Sequence, residues 1–89
     1  VTLTTPRYTF QFGKNTHNVY RCFAGEGIPK HEHDYAHATV CHVGKIVVRK
    51  EGVQREFTPE SGAVVLKANE WHEIEALVDG TVFENIFVT

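Results

Sequence analysis

What the chain lacks narrows the field first. Its 89 residues hold no methionine, three leucines and six alanines, so the strongest helix formers are scarce. Valine, isoleucine and threonine together number 25, and such β-branched side chains suit a pleated surface. A helical bundle is excluded and an all-β domain is expected. Serine occurs once, at Ser61, with no nucleophile elbow around it, which removes a Ser-His-Asp hydrolase. Cys22 and Cys41 are the only cysteines and have no CxxC spacing, which excludes a zinc finger and a disulfide framework. Both are expected to be reduced core thiols.

No charge of one sign dominates either. Nine Lys and Arg face eleven Asp and Glu, for a net charge of −2, so bulk charge makes no case for nucleic acid. The longest apolar run, residues 63–66, is far short of the ~20 residues a membrane helix needs. The first ten residues lack the charged start and apolar core of a signal peptide, so the cytoplasm is the expected location. The length suits one domain spanning residues 1–89.

What is present is a series of short strand-like runs separated by turn signals. Strands are expected at residues 7–12, 18–24, 37–43, 46–50, 53–57, 63–67, 72–77 and 81–88, the 63–67 strand as a buried one. Residues 25–29 and 58–62 read as turns, and Gly44-Lys45 and Glu51-Gly52 as tight hairpins. Eight or nine strands without crossover helices mean a sandwich or a small barrel.

Histidine is the unusual residue. Six occur, and His31, His33, His37 and His42 fall within twelve positions. On a strand, His31 and His33 leave the same face and can reach one metal ion. His37 can return to the pair through a short turn, whereas distant His72 joins only if the sheet closes on itself. His42 has opposite parity to His37 and is expected to point away. His17, in a polar turn, carries no argument for a role.

Gly25, the pair His31 and His33, His37 and Gly44 match the spacing G(x)5HxH(x)3–4E(x)6G, with His37 in place of the Glu. Residues 61–76 match a looser G(x)5PxG(x)2H(x)3N pattern around His72, with Lys67 for Pro, Asn69 for Gly and no final Asn. In these motifs, over about residues 18–88, the chain resembles the cupin superfamily. The resemblance implies a small antiparallel jelly-roll β-barrel with a central metal held by His31, His33, His37 and His72. It also implies a homodimer, for which residues 4–12 have the alternating pattern of an edge strand.

Four neutral imidazoles leave a divalent ion its full charge and favour transition metals over Mg(II) or Ca(II). Iron is the expected metal, with nickel, zinc, copper or manganese as alternatives. Tyr35, between the ligands, is the candidate catalytic residue at the mouth, donating to a bound oxyanion. Arg21 and Lys30 are candidates for a substrate carboxylate if they point inward. Trp71 is expected to close the barrel end, and Cys41, sharing parity with His37, to line the cavity. Residues 49–51, 55 and 56 read as a solvated hairpin with cross-strand ion pairs. Glu32 and Asp34 alternate away from the ligand face, leaving no free carboxylate for proton transfer. The expected function is therefore a metal-dependent, dioxygenase-like enzyme acting on a small organic substrate. A redox-neutral lyase or isomerase and a non-catalytic small-ligand barrel are the alternatives.

Overall fold

The computed structural model describes residues 1–88; residue 89, the last of the expected domain span, lies outside them. Ten strands follow in order: β1 Thr2–Leu3, β2 Tyr8–Phe12, β3 Asn15–Cys22, β4 Glu26–His31 and β5 His37–Val43, then β6 Ile46–Lys50, β7 Val53–Phe57, β8 Val64–Leu66, β9 His72–Ala76 and β10 Thr81–Val88. The only helical element among the described residues is a 3₁₀ turn at Pro59–Ser61. None is long and apolar enough to cross a membrane.

The strands form two five-stranded sheets, β1-β4-β9-β6-β7 and β2-β3-β10-β5-β8. Sequence neighbours are often in opposite sheets, so the chain crosses repeatedly between two walls and closes a small jelly-roll barrel. Alternation decides what fills it. On β10, Thr81, Phe83 and Asn85 point inward and are buried, while Val82, Glu84 and Ile86 between them point outward. On β9, inward His72, Ile74 and Ala76 alternate with outward Glu73 and Glu75. Ile46, Leu66, Ile74, Ala76 and Phe83 are fully buried. Phe83 stacks on Tyr20 with ring centres 4.7 Å apart. Full burial of a side chain of that size contributes roughly 1.5–3 kcal/mol.

Several details depart from the sequence expectation. One strand pair, β1 with β4, is parallel. Residues 26–31, expected to begin as a turn, are strand β4. Gly27 allows this, because a Cβ there would lie 2.1 Å from the Ile74 carbonyl oxygen on β9. The expected buried strand at 63–67 is the short edge strand β8, where only Leu66 is fully buried and Val65 is exposed. The ion pairs of the β6–β7 hairpin reach beyond it. Arg49 bridges Glu73 and Glu75 on β9, and Lys45, in the turn before β6, pairs with Glu56. Both cysteines are free and buried, and burial pushes both thiols up.

Two β-bulges aim the side chains that matter most. Along β4 and β9, Ile28 faces Ile74 but His31 faces His72, so one extra residue is inserted on β4. An uninterrupted strand with Ile28 inward would turn His31 outward; the inserted residue reverses the alternation. Pro29 sits at the irregularity, where a missing N–H is tolerated. The second bulge is on β5. Val82 pairs with Val43 and Phe83 with Cys41, so His42 is the unpaired residue and emerges beside Val43 on the outer surface.

Candidate metal centre

Three strand ends and one loop bring the histidines together at one mouth of the barrel. His31 ends β4, His33 follows in the loop, His37 opens β5 and His72 opens β9. The ring nitrogens of His31, His33 and His72 lie within 4.8 Å of one another. His37 joins through His72, with the two Nε2 atoms 3.4 Å apart. Ring centres of His33 and His72 lie 4.9 Å apart, and each also lies 5.2 Å or less from His31 and from His37. His33 and His72 therefore sit between the other two.

The hydrogen bonds decide which nitrogen of each ring is free. His31 donates from Nδ1 to the Pro29 carbonyl (2.8 Å), His33 to the Tyr35 carbonyl (2.6 Å) and His72 to the Glu70 carbonyl (3.1 Å). A carbonyl only accepts, so each Nδ1 carries the proton. His37 reaches the same state through a side chain. The Thr39 hydroxyl donates to Asn85 Oδ1 (2.6 Å), which leaves its oxygen to accept from His37 Nδ1 at 3.1 Å. Every neutral ring then holds a bare lone pair on Nε2. Burial first, then the like charge of His72 and His33, pushes His37 down to about 4. Burial and then His31 do the same to His72, also to about 4. Both rings are neutral at pH 7, so the 3.4 Å contact between their Nε2 atoms has no proton to share. Convergent lone pairs with outward-held Nδ1–H groups are the donor set a transition metal requires. The residues fit the ion that the cupin resemblance implies, and the cluster could hold a divalent metal.

The supporting backbone is equally specific. The Asn69 N–H donates to the His33 carbonyl at 2.7 Å, tying the loop before β9 to the loop after β4. Asn69 is the one described non-glycine residue with positive φ, at 61°. It occupies the position where the cupin pattern has Gly, and asparagine tolerates that left-handed conformation. The departure in sequence thus preserves the backbone shape.

A cavity of about 220 Å³ opens at this mouth, lined by His31, His33 and His37 together with Tyr20, Tyr35, Asn18 and Asn85. Leu3, Pro6, Ile28 and Phe87 supply its apolar side, and no charged side chain lines it. The buried Tyr20 hydroxyl, its pKa raised by that burial, bonds the Asn18 and Asn85 side chains. Tyr35 lines the rim, stacked on His33 at 4.1 Å and against Phe87 at 5.1 Å.

Other sequence candidates lie elsewhere. Arg21 is exposed on the outer face of β3, and Lys30 lies over the Trp71 ring at 4.3 Å, outside the cavity. Cys41 does not line the cavity; it packs in the apolar core with Ile46 and Phe83, two inward positions beyond His37. Glu32 and Asp34 are exposed. His17 is not in a turn. It lies on β3, stacked on Phe10 at 4.6 Å and bonded to Glu84, which also bonds His42. Only the strand pairing, which sets β3 and β5 on either side of β10, reveals that cluster.

No family profile and no curated protein matches the chain. Solved structures do. KdgF from Halomonas sp. superposes with a TM-score of 0.81 at 18% identity, over 91% of this chain and 74% of that one. A cupin-2 domain protein from Shewanella frigidimarina gives 0.78 at 13% identity, over 96% and 80%. A conserved protein from Klebsiella pneumoniae with a double-stranded β-helix domain gives 0.76 at 12%, over 96% and 71%. With all ten strands in place and the histidine cluster at the barrel mouth, the chain has the double-stranded β-helix fold of the cupins.

Proposed function

We propose that this chain is a metal-dependent enzyme of the dioxygenase type, acting on a small uncharged organic substrate at a site formed by His31, His33, His37 and His72. The observation that carries the metal is the set of four Nε2 lone pairs, each on a ring whose Nδ1 proton is already donated away from the centre. An all-nitrogen donor set suits iron, nickel, zinc or copper, and manganese less well, and within that set the dioxygenase reading selects iron. When bound, such an ion supplies Lewis-acid polarisation of a chelating oxygen and, if redox-active, activation of dioxygen.

The chain's own residues do the rest. Carbonyls of Pro29, Tyr35 and Glu70 and the Thr39 hydroxyl hold the rings in orientation. Leu3, Pro6, Ile28 and Phe87 exclude water from one side of the cavity, and the Asn18 and Asn85 amides offer neutral hydrogen bonds on the other. The cavity is smaller than the roughly 300–1,000 Å³ of sites for drug-sized ligands, which favours a compact substrate. Without a carboxylate or lysine in the lining, shuttling a substrate proton has no obvious agent, which favours oxygen chemistry over a lyase or isomerase reaction. Tyr35 at the rim is the candidate to donate to a developing oxyanion. Cytoplasmic residence accompanies this reading, supported by two free, buried thiols.

The test is metal content by plasma mass spectrometry on tag-free protein, beside His72→Ala and Tyr35→Phe, followed by oxygen-electrode assays with small enolisable and thiol compounds. We expect about one equivalent of metal in the wild type, none in His72→Ala, and metal retained with lowered kcat in Tyr35→Phe. Turnover without oxygen uptake would move the assignment to a redox-neutral lyase or isomerase. Saturable binding without turnover would leave a ligand-binding barrel, and no metal after reconstitution would overturn the site.

A further inference from the structure

We propose that Tyr20 is the group that reads the substrate, its hydroxyl donating a hydrogen bond to a neutral carbonyl or enol oxygen of a compact molecule in the cavity beside the histidines. This deepens the assignment above and rests on the reading of that cavity as the substrate site. One row of polar side chains carries it, crossing β2, β3, β10 and β5. Thr9 pairs with Asn18, Asn18 with Asn85 and Asn85 with Thr39. The hydrogen bonds of the row are mirrored about its middle. Thr9 donates to Asn18 Oδ1 at 2.7 Å, and Thr39 donates to Asn85 Oδ1 at 2.6 Å. Thr39 has no other direction for its proton, because its oxygen accepts from His37 Nδ1. With each amide oxygen engaged from outside, each amide turns its NH₂ group to the Tyr20 hydroxyl, which both side chains bond.

The ring is fixed as firmly as its oxygen. Tyr20 pairs with Phe83 across β3 and β10, and the two rings stack 4.7 Å apart in the core. Burial raises the Tyr20 pKa and both amides pull it partly back, as N–H donors to a phenol oxygen do. A phenol oxygen that accepts two N–H groups has one hydrogen bond left to make, and it is a donation. Among the described residues none accepts that proton. The cavity that Tyr20 lines with His31, His33 and His37 is where an acceptor can sit.

The chemistry of the acceptor follows. A buried donor left without a partner is costly, so a molecule that offers an oxygen is preferred over one of equal size that does not. No charged side chain lines the cavity, which favours a neutral oxygen over a carboxylate. Sulfur is a weak acceptor, so enolisable oxygen compounds are preferred over thiols. Tyr35 differs in kind. It is exposed at the rim and placed by stacking on His33 and Phe87 rather than by an amide pair.

Tyrosine ¹³Cζ NMR and calorimetric titration with hydroxyacetone, a compact neutral carbonyl compound, test this on zinc-loaded and metal-free protein. The chain has three tyrosines, and Tyr20→Phe assigns the Tyr20 signal by its loss. Hydroxyacetone should move that signal. Tyr20→Phe, which keeps the ring against Phe83, should bind the probe roughly 10–100-fold more weakly while retaining metal. If circular dichroism shows that Tyr20→Phe does not fold, exposed Thr9→Val replaces it. Without the Thr9 donation the Asn18 amide is free to turn, so the Tyr20 signal should shift and binding weaken by roughly threefold, with Thr9→Ser restoring both. Unchanged affinity in Tyr20→Phe, a response confined to Tyr35, or no binding up to about 50 mM overturns the inference. The two readings fail separately. Zinc held with a silent Tyr20 sinks this inference alone, and a Tyr20 response in protein that takes up no zinc sinks the metal reading alone.

Discussion

The two ends of the barrel are built from the same strands and do opposite things. On β5, Cys41 packs in the apolar core while Thr39 and His37, two and four residues back along the same face, belong to the polar mouth. On β10, Phe83 is core and Asn85 is site. On β9, Ala76 and Ile74 are core and His72 is a candidate ligand. One end holds Phe83, Ile46 and Phe57 in close packing. The other holds four imidazoles, of which His31, His33 and His72 bring ring nitrogens within 4.8 Å of one another and His37 joins through His72. A step of one inward position changes the chemistry from dispersion to unpaired donors, so rigidity at the packed end holds the misfit at the open end. His31, His37 and His72 are held there by strands that are fixed elsewhere in the core.

The comparison breaks most severely at the packed end. Phe83→Ala removes a fully buried ring stacked on Tyr20 and should cost roughly 3–5 kcal/mol in urea unfolding, a large part of a small domain's stability. Metal removal strikes only the open end. At a free metal concentration a hundredfold above its Kd, loading should add ~2.7 kcal/mol, which EDTA abolishes in the wild type and which His72→Ala never shows. Calorimetric melts with and without chelator read the difference. If the chelator has no effect on the wild type, the open end holds no structural metal.

Thr39→Val lies between the two ends. It leaves the Asn85 carbonyl without its donor and His37 Nδ1 without its acceptor, at about 1–3 kcal/mol in stability. Metal affinity should fall by roughly 10–100-fold, as for other groups that orient a ligand, whereas Thr39→Ser should restore it. Competition with a chromophoric chelator measures this, and an unchanged affinity would mean that His37 does not ligate.

The smallest effect lies on the outside of β10, at neither end. Burial raises the Glu84 carboxyl, but hydrogen bonds from His17 and His42 and their charge outweigh it and hold the group below its ordinary range. A carboxyl depressed in the folded state stabilises above the unfolded pKa and loses that contribution as pH falls through the folded one. Between about pH 5 and pH 2, wild-type stability should therefore fall more steeply than that of Glu84→Gln. Parallel unfolding curves for the two across that range would dismiss the interaction.

Much of the fold was legible in the sequence because its signal is local. β-branched composition, period-two alternation and glycine turns place eight of the ten strands, β3 starting three residues earlier than expected. The β6–β7 hairpin at Gly52 follows from turn chemistry, whereas Gly44-Lys45 is not the expected hairpin but a turn that carries the chain from one sheet to the other. β4 was missed because its Gly27-Ile28-Pro29 core reads as a turn; only the close approach to Ile74 and the bulge tolerance of Pro29 make it a strand. The histidine site was legible through spacing, and Asn69 at a left-handed position shows that the weaker second motif keeps its shape. His17 with Glu84 was illegible, since 67 residues separate partners that meet only across two strands.

The sequence by itself determined that strands would alternate, that charge would be mild, and that His31, His33, His37 and His72 were the donors to watch. Those follow from residue type and nearest-neighbour spacing. Tertiary structure alone decided that His31 faces inward, because a bulge reverses the parity that counting from Ile28 would give. It alone decided that Cys41 is core while His37 is site, and that Glu84 meets His17 and His42 on one outer face while Arg49 meets Glu73 and Glu75 on the other. Side-chain direction in a strand is a local property, but which face meets the core, the mouth or the solvent depends on what the rest of the chain packs against it.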